Sequence, residues 1–223
     1  MADFRTHFGV AAAGGAVLAH GGWQAGLWDA WQALPMLVLV TLGGILPDID
    51  ADSSRAIRLV FNLLAVPAVV AGALLLQGRL STGGLLLACG ALYLGVRHLA
   101  GALFARLTVH RGIWHSLLAA ALCGLATAAL SHRLLEQPGA LAWGHGLALS
   151  LGFLLHLLLD ELYSVDLTGA RIKRSFGTAM KPLDWRSPGN SLVMLAAGAN
   201  LLPWLPAWTL LPDLLAQGAS LWR

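Results

Sequence analysis

The chain has 223 residues, of which 57% are hydrophobic and only 11% are charged, and its formal net charge is +3. A soluble globular protein carries about 25% charged residues because it needs a solvated surface. This composition therefore excludes an ordinary soluble domain and predicts an integral membrane protein. The basic residues stand in short segments between apolar runs, which fits membrane topology and lipid headgroups and predicts no nucleic-acid partner.

A membrane-spanning helix needs about 20 mostly apolar residues, and the sequence contains about seven runs of this kind. In chain order they run from about His7 to Leu27, Trp28 to Pro47, Ile57 to Leu76, Leu80 to Phe104, Gly112 to Leu130, Leu141 to Asp160 and Leu192 to Leu211. The last run contains Pro203 and Pro206, which predict a kink or an incomplete span. We predict an all-α polytopic transmembrane helical bundle that forms one membrane-embedded domain over residues 1–223.

The basic residues are distributed unequally between the two sides of this bundle. The side that contains the N-terminus and the segments after the second, fourth and sixth runs receives all of the 14 Lys and Arg except Arg79, Arg133 and Arg223. Cytoplasmic segments carry the excess of positive charge, so we predict an inner-membrane protein with a cytoplasmic N-terminus. The opposite side then receives an aromatic belt, formed by Trp23, Trp28, Trp31 and Trp143.

An alternative for the first run is a secretory signal over residues 1–19. Arg5 would be its basic end, and Val17-Leu18-Ala19 would precede the cleavage site. Asp3 is unusual in such a signal, and cleavage would discard His7. A membrane span is therefore the favoured interpretation.

Ionisable groups inside a span cost about 2.5–3.5 kcal/mol each on insertion scales, so they are candidates for function. His156 and Asp160 stand four residues apart, which places both side chains on one helix face about 6 Å apart along the axis. Such a pair can share a metal ion, and the alternative is a hydrogen bond that caps the span. Either interpretation predicts that both side chains face the bundle interior.

A second group is HRGIWHS, residues 110–116. A separation of five residues is poor for one helix face. His110 and His115 meet if His110 lies in the entering loop, Gly112 relaxes the backbone and His115 lies in the first helical turns. Arg111 would add a cation suited to phosphate or carboxylate, although an ordinary positive-inside arginine is the alternative.

A third group is the row of acids Asp48, Asp50 and Asp52 where the second run ends. In an extended turn, alternate positions point at least two carboxylates the same way, which suits a divalent ion. A loop without a metal is the alternative, and repulsion among the acids disfavours it. His7 precedes the first run, where a lone histidine is more often incidental than a ligand. No role is assigned to His20, His132 and His145, which fall on the opposite side.

These elements are far apart in sequence, yet the predicted topology places all of them at the cytoplasmic ends of their spans. Together they supply several His nitrogens and Asp oxygens and no Cys, which favours zinc, with manganese or iron as alternatives. More than four ligands imply two or more ions, and two-metal sites typically serve the hydrolysis of phosphoesters or amides. The longest polar stretch, about Tyr163 to Asn190, is predicted to be a loop over the cytoplasmic mouth.

The segments LPDID, HRGIWHS and GFLLHLLLD, with a histidine near the N-terminus, resemble the YdjM-like family of membrane-bound predicted metal-dependent hydrolases. The likeness runs from Thr6 to about Asp160. That family is remotely similar to the zinc-dependent phospholipase C and single-strand nuclease superfamily of α-helical enzymes. The resemblance implies a set of metal ligands, namely His7, Asp48, Asp50, His110, His115, His156 and Asp160. It makes Lys181 and Arg174 candidates for phosphate contacts.

We predict a membrane-bound hydrolase in which a metal-activated water attacks an ester, namely a phosphoester of a lipid or lipid-linked substrate. Arg111 and Asp50 are the predicted catalytic residues, and Arg111 would stabilise charge on the substrate. One alternative is a metal-binding transporter, which would need a continuous path of polar residues through the spans, and the sequence offers few. A non-catalytic regulatory membrane protein is the other alternative.

Overall fold

The computed structural model describes residues 2–50, 55–102, 112–166, 171–172, 177–185 and 187–219. This part of the chain is helical except for one short hairpin, in which β1 (Val165–Asp166) pairs antiparallel with β2 (Arg171–Ile172). The described α-helices are α1 (Phe4–Gln24), α2 (Ala30–Gly43), α3 (Arg55–Leu76), α4 (Thr82–Leu94), α5 (Leu117–Arg133), α6 (Gly139–Leu162), α7 (Pro188–Leu201) and α8 (Leu210–Ala219). The helical character that the sequence predicts is confirmed for the described residues.

Short polar side chains set the beginnings of several helices. Asp3 accepts hydrogen bonds from the backbone N–H of Thr6 at 2.8 Å and from its hydroxyl at 2.7 Å, and these bonds hold the pKa of the Asp3 carboxyl below its ordinary value. Asp29 and Gln32 form a capping box at the beginning of α2. The first turn of α1 is thereby fixed, and with it the position of His7.

Three of the described helical segments are long and apolar enough to cross a membrane: Ile57–Leu76, Thr82–Ala100 and Gly139–Leu162. The second of them continues α4 through a π-helical turn, Gly95–Ala100. α2 and α5 are apolar but shorter. The structure therefore supports membrane embedding and does not confirm a count of seven spans.

The seventh predicted span is divided into two helices in the structure. α7 ends at Leu201, a 3-10 turn covers Leu202–Trp204, and α8 begins only at Leu210. Pro203 lacks the N–H that a continuing α-helix needs, which explains the break. With 14 and 10 residues, α7 and α8 each fall short of a full span.

The chain divides into two compact units. The first comprises Met1–Pro47 and Arg111–Arg223, and the second comprises Asp48–His110. In the first unit α6 is the central helix, because it packs against α1, α2, α5 and α8. In the second unit α3 packs against α4 and its π-helical turn. The prediction of one functional domain over residues 1–223 stays a prediction.

Glycines allow α6 to approach its neighbours at backbone contact. A Cβ added at Gly152 would overlap the carbonyl oxygen of Val40 in α2, and one at Gly43 would overlap the backbone of α6. On another face of α6, a Cβ at Gly146 would lie 2.6 Å from the carbonyl oxygen of Gly124 in α5. Small residues at such crossings are typical of membrane helices. The position of α6 along its neighbours is therefore fixed by backbone contact with both α2 and α5.

The predicted aromatic belt is wrong for two of its four members. The indoles of Trp28 and Trp143 are buried and donate to the carbonyl oxygens of Ala19 and Ala207 at 2.9 and 3.1 Å. Each indole donates to a backbone carbonyl inside the first unit, so its N–H is satisfied by the protein and its ring is not exposed to the membrane interface. The exposed members are Trp23 and Trp31.

Candidate metal centre

Four ionisable side chains are buried together in the first unit. His7 comes from the first turn of α1, His115 from the segment before α5, and His156 and Asp160 from the last two turns of α6. None is more than 1% exposed. We call these four residues the His/Asp cluster. The prediction that His156 and Asp160 face the interior is confirmed.

The cluster has the geometry of a small coordination site. The imidazole rings of His7 and His156 stack with centroids 3.6 Å apart and an interplanar angle of 12°. The Asp160 carboxylate faces both rings, with one oxygen 3.3 Å from Nε2 of His7 and the other 3.9 Å from Nε2 of His156. One ligand atom from each of these residues lies within 4.8 Å of the others. The ring of His115 is 5.8 Å from that of His156, at 66°.

The orientation of His156 is set by the turn that follows α2. Its Nδ1 lies 2.7 Å from the carbonyl oxygen of Gly44, which can only accept, so Nδ1 carries the hydrogen. In the neutral ring the lone pair then resides on Nε2, on the side of Asp160. Metal-binding histidines typically donate their other N–H to a carbonyl or carboxylate in this way.

His7 shows most directly that the described protein atoms do not satisfy every ring nitrogen of the cluster. Neither of its ring nitrogens has a hydrogen-bond partner among the residues that the structure describes. The 3.3 Å contact with Asp160 is close but lacks hydrogen-bond alignment. A buried polar group without a partner costs about 1–3 kcal/mol. Two imidazoles and a buried carboxylate are donors that zinc accepts, so these residues fit a divalent ion.

His115 lies just outside α5, which corrects the expectation that it stands in the first helical turns. Ser116 is the N-cap, and its hydroxyl accepts the N–H of Ala119 at 3.2 Å, so the helix begins after it. The neighbouring Trp114 donates its indole N–H to the carbonyl oxygen of Leu46 at 2.9 Å. This loop is therefore tied to the segment that leads out of α2.

The acidic segment after α2 is also different from the prediction. Pro47–Asp50 forms a 3-10 helix and no extended turn, so the argument that alternate side chains point the same way does not apply. A 3-10 helix turns about 120° per residue, because it has about three residues per turn. Asp48 is half-buried and begins the second unit. Its role as a ligand stays a prediction.

Several other predicted site residues lie outside the described part of the chain. They are Asp52, His110, Arg111, Arg174 and the side chain of Asp50. Their assigned roles as ligands, catalytic groups or phosphate contacts stay predictions from the sequence.

The polar stretch that was predicted to be a loop over the site has contacts next to the cluster. The N–H of Leu117, two residues after His115, donates to the carbonyl oxygen of Lys181 at 2.9 Å. Glu161, which follows Asp160, accepts the N–H of Gly177 through a carboxylate oxygen. The segment 177–185 is thus held to the beginning of α5 and to the end of α6. The ammonium of Lys181 lies 3.3 Å from the carboxylate of Asp184 in this segment.

A second buried histidine on α6 belongs to a separate pair. His145 lies about three helical turns before His156, and its Nδ1 is 2.7 Å from the hydroxyl of Ser131 in α5. Both side chains are buried. Sequence reasoning assigned no role to His145, and the structure keeps it apart from the cluster.

Comparison with known proteins supports an inner-membrane assignment. A family model described as YdjM inner membrane protein matches residues 1–172. This match extends from α1 through α6, so it contains every residue of the His/Asp cluster. No curated protein and no solved structure matches the chain.

Proposed function

We propose that this chain, which belongs to the YdjM inner membrane protein family, is a membrane-bound metal-dependent hydrolase that cleaves a phosphoester of a lipid or lipid-linked substrate. The observation that carries the proposal is the buried pair of stacked imidazoles, His7 and His156, facing the single carboxylate of Asp160. These three residues would hold a divalent ion, and His115 would contribute from the adjoining loop.

The ligand atoms of His7, His156 and Asp160 lie close enough together to hold a divalent cation. Asp160 has two imidazoles directed at it, and the Nδ1–H of His156 is already given to Gly44. Nitrogen and oxygen donors without sulfur favour zinc, with manganese or iron as alternatives, and two or more ions if Asp48, Asp50 and His110 also contribute.

A bound divalent ion would supply Lewis acidity and would lower the pKa of water, which is the chemistry that ester hydrolysis needs. The residues of the chain would orient the ligands and shield them from solvent. The carbonyl of Gly44 orients His156, and the complete burial of Asp160 keeps bulk water away from the ligands. Arg111 and Asp50 remain the proposed catalytic residues.

The substrate class is supported by what surrounds the cluster. The apolar helices and the family match indicate a membrane protein. We therefore propose a substrate that is found in the membrane, a lipid or a lipid-linked molecule. The backbone of segment 177–185 contacts the beginning of α5 and the end of α6, so Lys181 belongs to that end of the bundle, where its ammonium lies 3.3 Å from the Asp184 carboxylate. A cation at such a site suits a phosphate group. Lys181, with Arg174 and Arg111, is therefore a proposed phosphate contact.

The described residues do not favour the alternative of transport through the bundle. Between His145 and His156 on α6, the buried side chains include Ala148, Leu149 and Phe153, which are all apolar. A transport path needs polar groups in continuous succession. In this interval of α6 the half-buried Ser150 donates its hydroxyl to the carbonyl oxygen of Ala120 at 3.1 Å, and this single hydroxyl among apolar side chains does not form a continuous path.

The test of the proposal is hydrolysis by detergent-purified protein. Wild-type protein loaded with zinc or manganese should release phosphate or headgroup from at least one member of a panel of phospholipids and phosphodiesters. Chelation should abolish the activity, and the added ion should restore it. A wild-type protein that binds the ion but cleaves nothing across the panel would favour a non-catalytic regulatory role.

We also propose that the N-terminus and the His/Asp cluster lie at the cytoplasmic face, because the basic segments lie at that end of their spans. In a variant without Cys89 and Cys123, Met180→Cys should react with a membrane-impermeant maleimide only after the inner membrane is opened. Ser81→Cys, between α3 and α4, should react from the periplasm without opening. The reverse pattern would overturn the orientation.

A further inference from the structure

We infer that Trp114 is a positioning residue of the metal centre, whose indole N–H sets the position of His115 relative to His156. The inference rests on the proposed metal centre. It concerns a residue next to the cluster that supplies no ligand atom.

The indole of Trp114 makes one hydrogen bond and one ring contact across the first unit. Trp114 donates its indole N–H to the carbonyl oxygen of Leu46 at 2.9 Å, so it joins two segments far apart in the sequence. Its ring also lies edge-to-face against Phe153 of α6, with centroids 6.3 Å apart. Phe153 is fully buried in an apolar group that includes Ala119 and Leu157. The indole is therefore held both by packing and by a directional bond.

The turn after α2 accepts hydrogen bonds from both sides of the cluster. The short turn after α2 accepts from His156 at Gly44 and from Trp114 at Leu46. Trp114 is covalently adjacent to His115, whose ring lies 5.8 Å from that of His156. The same turn therefore positions both histidines. It bonds His156 directly, and it holds His115 through the adjacent Trp114.

The backbone of His115 lies outside α5, so contacts of its loop determine its position. It precedes the N-cap Ser116, so no helical turn fixes its backbone. Its N–H donates to Gly112 at 3.2 Å, which is a bond within the same loop. The hydrogen bond of Trp114 joins this loop to the turn that orients His156. Partners that orient ligands in this way typically change metal affinity by about 10–100-fold when removed.

The chain offers a matched control for the same chemical change. Trp143 is buried and donates its indole N–H to the carbonyl oxygen of Ala207 at 3.1 Å. It lies on α6 near the end opposite His156. Trp114→Phe and Trp143→Phe each delete one indole N–H and one hydrogen bond to a backbone carbonyl.

The experiment measures zinc affinity of full-length protein in detergent by competition with a chelating dye. Trp114→Phe should bind zinc about 10–100-fold more weakly than wild type, and Trp143→Phe should bind it within about twofold. The absorption spectrum of the cobalt(II)-loaded protein should shift in the first variant only. Equal zinc affinities and equal cobalt spectra for the two variants would overturn the inference.

A second variant separates the donor from the bulk of the ring. Trp114→Gln keeps an N–H donor and loses the ring, whereas Trp114→Phe keeps a ring and loses the donor. Zinc affinity that follows the donor supports positioning, and affinity that follows only the ring contradicts it. If wild-type protein binds no ion, the proposed metal centre fails. If wild type binds and Trp114→Phe binds equally well, this inference alone fails.

Discussion

Replacing His156 with alanine, or Asp160 with asparagine, is expected to remove the bound metal. Each change deletes a donor at the centre of the cluster, where the Asp160 carboxylate faces the Nε2 atoms of His7 and His156. We expect zinc affinity to fall by at least about 100-fold, because a ligand contributes more than the outer partners that cost about 10–100-fold. Elemental analysis of protein purified from zinc-supplemented cells should show the ion content falling to background.

The control for this prediction lies on the same helix. His145→Ala also removes a buried imidazole and one hydrogen bond, the contact with Ser131, from α6. It should lower the thermal stability by an amount similar to His156→Ala and keep the metal. Full metal content in both His156→Ala and Asp160→Asn would show that the ion, if any, is bound elsewhere.

Introducing a side chain at Gly152 is expected to give the largest loss of folding. A Cβ there overlaps the carbonyl oxygen of Val40, which is backbone and cannot rotate away, so α2 and α6 must separate. Overpacking typically costs about 1–3 kcal/mol and more when backbone must move. For Gly152→Val we expect a loss at or above that range, seen as a lower melting temperature and aggregation in size-exclusion chromatography. Gly152 is one helical turn from His156, so metal binding should fall as well.

Gly90→Val is the matched control for this change. Gly90 lies in α4, and no atom stands within 4 Å of the position that its Cβ would take. An exposed substitution of this kind should change the free energy of unfolding by no more than about 0.5 kcal/mol. If both valine variants have the melting temperature of the wild type, the close approach of α2 and α6 is not present in the protein.

The sequence predicted α6 well because two independent patterns agree there. A long apolar run gives the helix, and the four-residue spacing of His156 and Asp160 gives a face that lipid would not tolerate. The structure places the helix at Gly139–Leu162, within two residues of the predicted Leu141–Asp160 at each end. Burial of both side chains then follows from the cost of exposing them to hydrocarbon.

The importance of His7 could not be judged from the sequence. A single histidine before an apolar run has no spacing partner, and its stacking on His156 depends on how α1 packs against α6. That packing is set by tertiary contacts, and no local pattern reveals it. The same holds for the Gly44 carbonyl, because every residue has a backbone acceptor and the sequence does not show which one a histidine will use.

Local end effects explain the remaining differences. The predicted fifth run began at Gly112, but Ser116 caps α5 and leaves His115 in the loop, since a short polar side chain competes for the first free N–H groups. At the end of α2, the chain closes into a 3-10 turn over Pro47–Asp50. An apolar run marks where a helix is stable, and it does not mark where its last turn tightens.

Zinc K-edge X-ray absorption of the wild-type protein, purified in detergent and loaded with zinc, tests the central claim most directly. We expect bound zinc with a first shell of nitrogen and oxygen at about 2.0–2.2 Å, and the multiple scattering that imidazole ligands produce. That signal should be absent from His156→Ala. Wild-type protein that retains no zinc, or zinc with sulfur ligands at about 2.3 Å, would contradict a metal centre built from His7, His156 and Asp160.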